Sequence, residues 1–190
     1  LFKQGDDTNM EAGDMWQLSC IPASFSTPDW AKGAIIYQIF PDRFHAAGKC
    51  DLTGKLEPYT VHKYWHEEVD WKPTADDIVL NNDFYGGNFK GITEKLDYIA
   101  SLGATILYLN PISKSFSNHR YDTGDYKVPD PMLGTIEDFK TLCDEAHARG
   151  IKVILDGVYS HTGSNSLYFN KQGSFPSCGA YQSLDSAYCS

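Results

Sequence analysis

An α/β fold on a parallel sheet is predicted by three features of this 190-residue sequence. Three apolar runs, "IIYQIF", "ATILYLN" and "KVILD", end at Pro or at a carboxylate and carry few polar residues, so they predict strands buried on both faces. An amphipathic helical segment precedes the second and the third run. The order strand, helix, strand, helix, strand needs crossover connections, and these join parallel strands. Two closures satisfy this order, a doubly wound open sheet and a (β/α)8 barrel. In both, ligands sit at the carboxyl ends of the strands.

Residues 1–30 are polar, rich in Asp, Ser, Thr and Pro, and lack periodicity, which predicts a linker or the tail of a preceding module. Order is expected from 31 to 161. Ile35–Phe40 forms the first strand, stopped by Pro41. Residues 45–83 are a polar and aromatic insertion, longer than ordinary connections. Ile92, Leu96, Ile99 and Leu102 share one helical face, with Gly103 as the terminator. "ATILYLN" follows and stops at Pro111. Thr135 and Asp138 have the spacing of a capping box, and Phe139, Leu142, Cys143 and Ala146 lie on one side of the helix that follows. Gly150 ends that helix before the third strand. Residues 162–190 are rich in Ser, Tyr and Gly, and predict the start of a long loop.

Composition narrows the function. A net charge of −9, with no basic stretch longer than two residues, argues against nucleic acid and against an anionic membrane surface. No apolar run is long enough to span a bilayer. Twelve Tyr, ten Phe and four Trp suit sugar faces and protein interfaces, although most such rings pack in cores. The five Cys show neither CxxC nor zinc spacing and are expected as free thiols, with Cys143 buried and a Cys178–Cys189 pair as the alternative. That favours a cytoplasmic localisation, with secretion or the cell surface as alternatives.

At the strand ends stand Asp42 and Arg43, Asn110 and Pro111, and Asp156 to His161. Asp156 and His161 fit a metal pair, an acid/base pair, a sugar-gripping pair, or plain hydrogen bonding at a strand end. A carboxylate at the end of a buried strand needs a donor to meet it. The loop "SNHRYDTGDY" adds His119, Tyr121, Asp122, Asp125 and Tyr126, and loops at this end of a parallel sheet are where function concentrates. "HKYWHE" would offer His62 and His66 to a metal if it were helical, but no third ligand is evident. No dinucleotide fingerprint, P-loop or nucleophile elbow occurs.

The segments "AIIYQIFPDRF", "DFYGGNFKGITEKLDYIASLGATILYLNPI", "SNHRYDTGDYKVPDPMLGT" and "IKVILDGVYSHTG" together resemble the α-amylase family of glycoside hydrolases, nearest its neopullulanase and cyclomaltodextrinase branch. The resemblance runs continuously from about Ala34 to His161. It implies a (β/α)8 TIM barrel, of which this chain holds about the first three β/α units, acting on starch-like α-glucans with retention of configuration. "DGVYSH" resembles the motif at the end of the third barrel strand, which assigns sugar binding to His161 and support of the active site to Asp156. "HRY" resembles the motif whose Tyr stacks on the same sugar, which assigns that role to Tyr121, with His119 beside it.

The departures are specific. Ser160 stands where the family usually has Asn. Relatives often hold calcium in the loop after the first strand, completed by an Asp after two Gly; here the loop reads "HAAGKCD" and the completing position is Asn88. Ala46 and Ala47 supply no side-chain oxygen. The expectation is therefore no cofactor and no metal ligand, with calcium as the one candidate. A retaining glycosidase needs a nucleophile and a general acid about 5 Å apart. The family's fourth-strand pattern, Arg-x-Asp after a Gly, does not occur, so both carboxylates are expected downstream and residues 1–190 alone are expected to be inactive. The expected partners are an α-glucan, the remainder of the chain's own barrel and, as a further candidate, a second copy in a homo-oligomer. A non-catalytic amylase-like scaffold and an α-glucan transferase are the alternative functions.

Overall fold

A computed structural model describes residues 20–189 and, before them, the backbone of Phe2–Gln4, Asp7–Asn9 and Asp14–Met15. The chain divides into two units at Gly33. In the first, β1 (Phe2–Gln4), β2 (Asp7–Asn9) and β3 (Asp14–Met15) form an antiparallel sheet in the order β2-β1-β3. The linker or tail of a preceding module expected over residues 1–30 lies, for the rest of residues 1–19, outside the described residues.

The second unit is built on β4 (Ile36–Ile39), β7 (Ile106–Leu109) and β10 (Lys152–Leu155). Between them run β5 (Thr60–Val61), β6 (Asp83–Phe84), α1 (Phe89–Glu94), α2 (Leu96–Ser101), β8 (Ser113–Ser115), β9 (Thr123–Pro129) and α3 (Ile136–Ala148). The three main strands pair in parallel in the order β10-β7-β4, with Ile36 beside Ile106 and Lys152 beside Ile106. The three predicted strands and the helical segments between them are present in the predicted order, while β5, β6, β8 and β9 were not anticipated. Burial on both faces holds only for the central strand. Ile106, Leu107 and Leu109 are buried, whereas Ile36 and Leu155 are 56% and 46% exposed. Among the described residues, β4 and β10 each have a strand neighbour on one side only.

Ile39, Leu107 and Leu109 of the sheet pack with Phe89, Ile92, Leu96 and Ile99 of the first helical segment and with Leu142 and Ala146 of α3. The first segment is not one helix. It breaks at Lys95 (φ −103°, ψ 4°), yet Ile92, Leu96 and Ile99 stay buried on both sides of the break, whereas Leu102, expected on the buried face, is the C-cap of α2 and 47% exposed. Gly103 (φ +79°) and Gly150 (φ +75°) end their helices in left-handed backbone. The Thr135 hydroxyl accepts from the Asp138 N–H, and the Asp138 carboxylate accepts from the Thr135 N–H, completing the capping box. Residues 162–189 contain neither helix nor strand.

All five cysteines are unpaired thiols. Cys143 is half-buried rather than fully buried, because its position lies at the margin of the α3 core face.

The crossover into the first helix depends on close backbone approach. A Cβ on Gly87 would lie 2.0 Å from the Pro41 carbonyl, and one on Gly91 would lie 1.9 Å from the His45 carbonyl. The buried Asp42 carboxylate accepts from the Tyr85 and Gly86 N–H groups, both at 3.1 Å. These bonds lock "YGGN" onto the end of β4.

Candidate functional site

The carboxyl ends of β4, β7 and β10 bring together a polar chain. Gln38 lies on β4, Asn110 follows β7, and Asp156 follows β10. Gln38 Nε2 donates to Asn110 Oδ1 at 2.8 Å, and Asn110 Nδ2 donates to the Tyr121 hydroxyl at 3.2 Å. That hydroxyl donates to Asp156 Oδ2 at 2.6 Å. The bond to a carboxylate, together with burial, pushes the Tyr121 phenol up to about 12, so it remains a donor across the physiological range. Tyr121 and Asp156 are both partly buried, and each keeps some surface open to a ligand.

The turn "SNHRYD" sets Tyr121. Arg120 adopts left-handed backbone (φ +62°), and its N–H donates to Ser117 Oγ at 3.0 Å. Asp122 accepts from the Phe116 and Ser117 N–H groups and from the Ser115 and Ser117 hydroxyls. His119 Nδ1 accepts from the Tyr121 N–H at 3.0 Å. Burial lowers the His119 pKa, so the ring is neutral near neutral pH. Its Nδ1 is occupied as an acceptor, so the proton sits on Nε2, which is left to donate.

The structure thus joins Tyr121 to Asp156 and places His119 beside Tyr121, with ring centroids 5.8 Å apart. It does not join His161 to them. The His161 ring is exposed, and its hydrogen-bond partner is Ser160 Oγ at 3.2 Å. The His161 backbone is held instead, its carbonyl accepting from the Tyr126 hydroxyl at 2.9 Å. Gln38 escaped the sequence reasoning. Its signal was present, as the single amide within the apolar run "IIYQIF". Asn110 was visible only as a strand-end residue.

"HKYWHE" is a turn rather than a helix, and its two histidines do not converge. His62 contacts Glu67 through Nδ1 and Asp83 through Nε2, each at 3.2 Å, and stacks on Tyr85. His66 stacks on Tyr64. In the loop after β4, Asn88 Nδ2 donates to the Ala47 carbonyl at 2.8 Å, and Asn88 Oδ1 accepts from the Ala47 and Gly91 N–H groups. Both ends of the Asn88 amide are thus taken up by backbone partners, and Ala46 and Ala47 add no side-chain oxygen that calcium could use. Among the described residues no cluster of three or more His, Cys, Asp and Glu is placed to hold a metal ion. Among them, too, no helix is long and apolar enough to cross a membrane.

The sequence is 45% identical to an amylopullulanase of Thermoanaerobacterium saccharolyticum, over 96% of this chain and 15% of that protein. It is 43% identical to neopullulanase 2 of Thermoactinomyces vulgaris, over 76% of this chain and 22% of that protein. The fold is similar to that of a cyclic α-maltosyl-(1→6)-maltose hydrolase from Arthrobacter globiformis in complex with cyclic α-maltosyl-(1→6)-maltose. That likeness has a TM-score of 0.64 at 37% identity and covers 86% of this chain and 32% of that one. The chain therefore spans between a seventh and a third of these relatives. The family model of the α-amylase catalytic domain matches residues 38–183, and the chain belongs to that family of glycoside hydrolases.

Proposed function

We propose that this chain forms the first three β/α units of a (β/α)8 barrel in a retaining hydrolase of starch-like α-glucans, and that it contributes part of the sugar site. The observation that carries the reading is the Tyr121–Asp156 hydrogen bond at the carboxyl ends of the strands. It fixes an aromatic ring and a carboxylate on the face where β/α proteins bind ligands. The ring of Tyr121 stacks on one sugar face, the Nε2–H of His119 and the ring of His161 donate to hydroxyls, and Asp156 orients Tyr121. The names of the relatives, with pullulan and maltosyl units among their substrates, support an α-glucan. The nucleophile and the general acid come from outside residues 1–190.

The test is reducing-sugar release by the full-length protein from maltoheptaose, pullulan and a cyclodextrin, with the product anomer read by NMR. Release of the α-anomer is expected. No release from any of the three, or a β-anomer, would overturn the reading. Residues 1–190 alone should release no sugar, because the two carboxylates are missing; sustained release would contradict their assignment.

The same reading has no calcium in the loop after β4, which the backbone partners of Asn88 support. A ligand at a hundredfold excess over its Kd adds about 2.7 kcal/mol to stability. The full-length protein should show no calcium-dependent melting shift that depends on Asn88. A chelator-reversible shift that disappears in Asn88→Ala would sink this assignment.

A further inference from the structure

A groove of about 420 Å3 lies in the loops beyond β4, lined by Phe44, His45, His62, Tyr64, Trp65 and Tyr85. Its size suits a small-molecule site. We infer that it is a second α-glucan contact, which holds a part of the chain that the Tyr121 site does not reach. The inference rests on the α-glucan reading above.

Tyr64 and Trp65 are 52% and 59% exposed. Exposed rings are ordinary, but these stand on a built turn. The Glu67 carboxylate accepts from the Lys63 N–H at 3.1 Å and the Tyr64 N–H at 2.7 Å, and it also contacts His62 Nδ1. The Tyr64 N–H, with the other donors, holds the Glu67 carboxyl below its ordinary range. Trp65 meets the edge of Tyr85, with centroids 5.5 Å apart. Tyr85 is itself fixed, by His62 stacked at 4.2 Å, by the Arg43 guanidinium 4.6 Å from the ring centroid, and by its hydroxyl donating to the Glu67 carbonyl. The ordering cost of the platform has thus been met before any ligand arrives.

The chemistry of the lining selects the ligand. Both nitrogens of His62 already face carboxylates, and His45 faces Glu94 at 3.3 Å, so the histidines are paired with carboxylates rather than offered to an anion. What remains is ring surface with a polar rim, to which Lys63 adds an ammonium group lying 5.2 Å from the Tyr64 ring centroid, a donor that sugar hydroxyls can also use. Sugar residues match it, because they present apolar C–H faces bordered by hydroxyls. Position argues the same way. Asp83 accepts from Arg43 Nη2 at 3.1 Å and from Asn118 Nδ2 at 2.8 Å, and it faces His62 at 3.2 Å. One buried carboxylate therefore ties the groove to the turn that carries His119 and Tyr121.

The experiment compares Trp65→Ala and Trp65→Phe with the parent in the full-length protein. KM is measured on maltotriose and maltoheptaose, maltoheptaose binding by calorimetry, and folding by melting temperature. Trp65→Ala should raise KM and Kd for maltoheptaose about three- to tenfold, leave maltotriose kinetics within about twofold, and be largely rescued by Trp65→Phe. Unchanged maltoheptaose binding in Trp65→Ala, or equal losses on both substrates, would overturn the inference. Hydrolysis without an effect of Trp65 sinks the groove alone. Binding that depends on Trp65, without hydrolysis, sinks the hydrolase reading alone.

Discussion

Replacing Asp130 with Asn is expected to cost the full-length protein about 3–5 kcal/mol of stability. Asp130 is fully buried, and its Oδ2 faces Lys55 Nζ at 2.5 Å and Arg120 Nε at 3.3 Å. Both cationic side chains are 1% exposed. Burial opposes the charge on Asp130, but the fields of Arg120 and Lys55 outweigh it and hold the carboxyl below its ordinary range. Burial likewise pulls Lys55 down to about 8, despite Asp130. Without the carboxylate, two buried cations face each other with nothing between them. The penalty should depend on pH. Lys55 sits below its unfolded value near 10.4. Removing Asp130 lowers it further, so the folded variant sheds this proton at a lower pH than the parent does. The difference in stability is full below the variant's folded Lys55 pKa and narrows as pH rises toward about 8, where the parent loses the same proton. Lys55→Met leaves the Arg120–Asp130 pair balanced and should cost less than Asp130→Asn. Urea denaturation at several pH values measures both. A loss below about 1 kcal/mol for Asp130→Asn, or a larger one for Lys55→Met, would show that Asp130 does not neutralise this cluster.

Removing the ring of His161 should act in the opposite way, on turnover and not on stability. His161→Ala in the full-length protein is expected to lower kcat/KM by about 30- to 1000-fold, or about 2–4 kcal/mol of transition-state stabilisation. The ring is exposed and touches Ser160, so its loss leaves no buried group unpaired. Its proposed work is a bond to a hydroxyl of the reacting sugar, which strengthens as the ring distorts toward an oxocarbenium-like state. Tyr121→Phe provides the contrast. It keeps the stacking surface but deprives Asp156 of its 2.6 Å donor, so it should lower both kcat/KM and the melting temperature. Tyr121→Ala should lower kcat/KM further. Kinetics on one maltooligosaccharide, with melting curves for each variant, decide the matter. Near-parental kcat/KM in His161→Ala, or activity lost only in proportion to unfolding, would remove His161 from the sugar site.

Much of the framework was legible because its signals are local. The Thr135–Asp138 spacing, the glycines at 103 and 150, and the apolar runs at 36–39, 106–109 and 152–155 each describe a few adjacent residues, and each appears in place. The helix break at Lys95 carried no such signal. The apolar positions on either side keep a common period, so Leu102 looked like core. The turn at residues 62–67 looked like a helical pair of histidines until the Glu67 carboxylate closed it on the backbone.

By itself, the sequence determined the order of the three parallel strands and of the helical segments between them, the helix ends and the motifs of the family. These depend on periodicity, on backbone freedom at glycine, and on capping within one turn. Only the tertiary structure decided which polar groups meet. Tyr121 reaches Asp156 across 35 positions, and Lys55 reaches Asp130 across 75. The physical reason is that such a meeting depends on the path of the intervening chain. One left-handed residue, Arg120, aims Tyr121 at the strand ends, while its own buried side chain is held by Asp130. A buried charge is tolerated only where its partner is delivered, and no local pattern records that delivery.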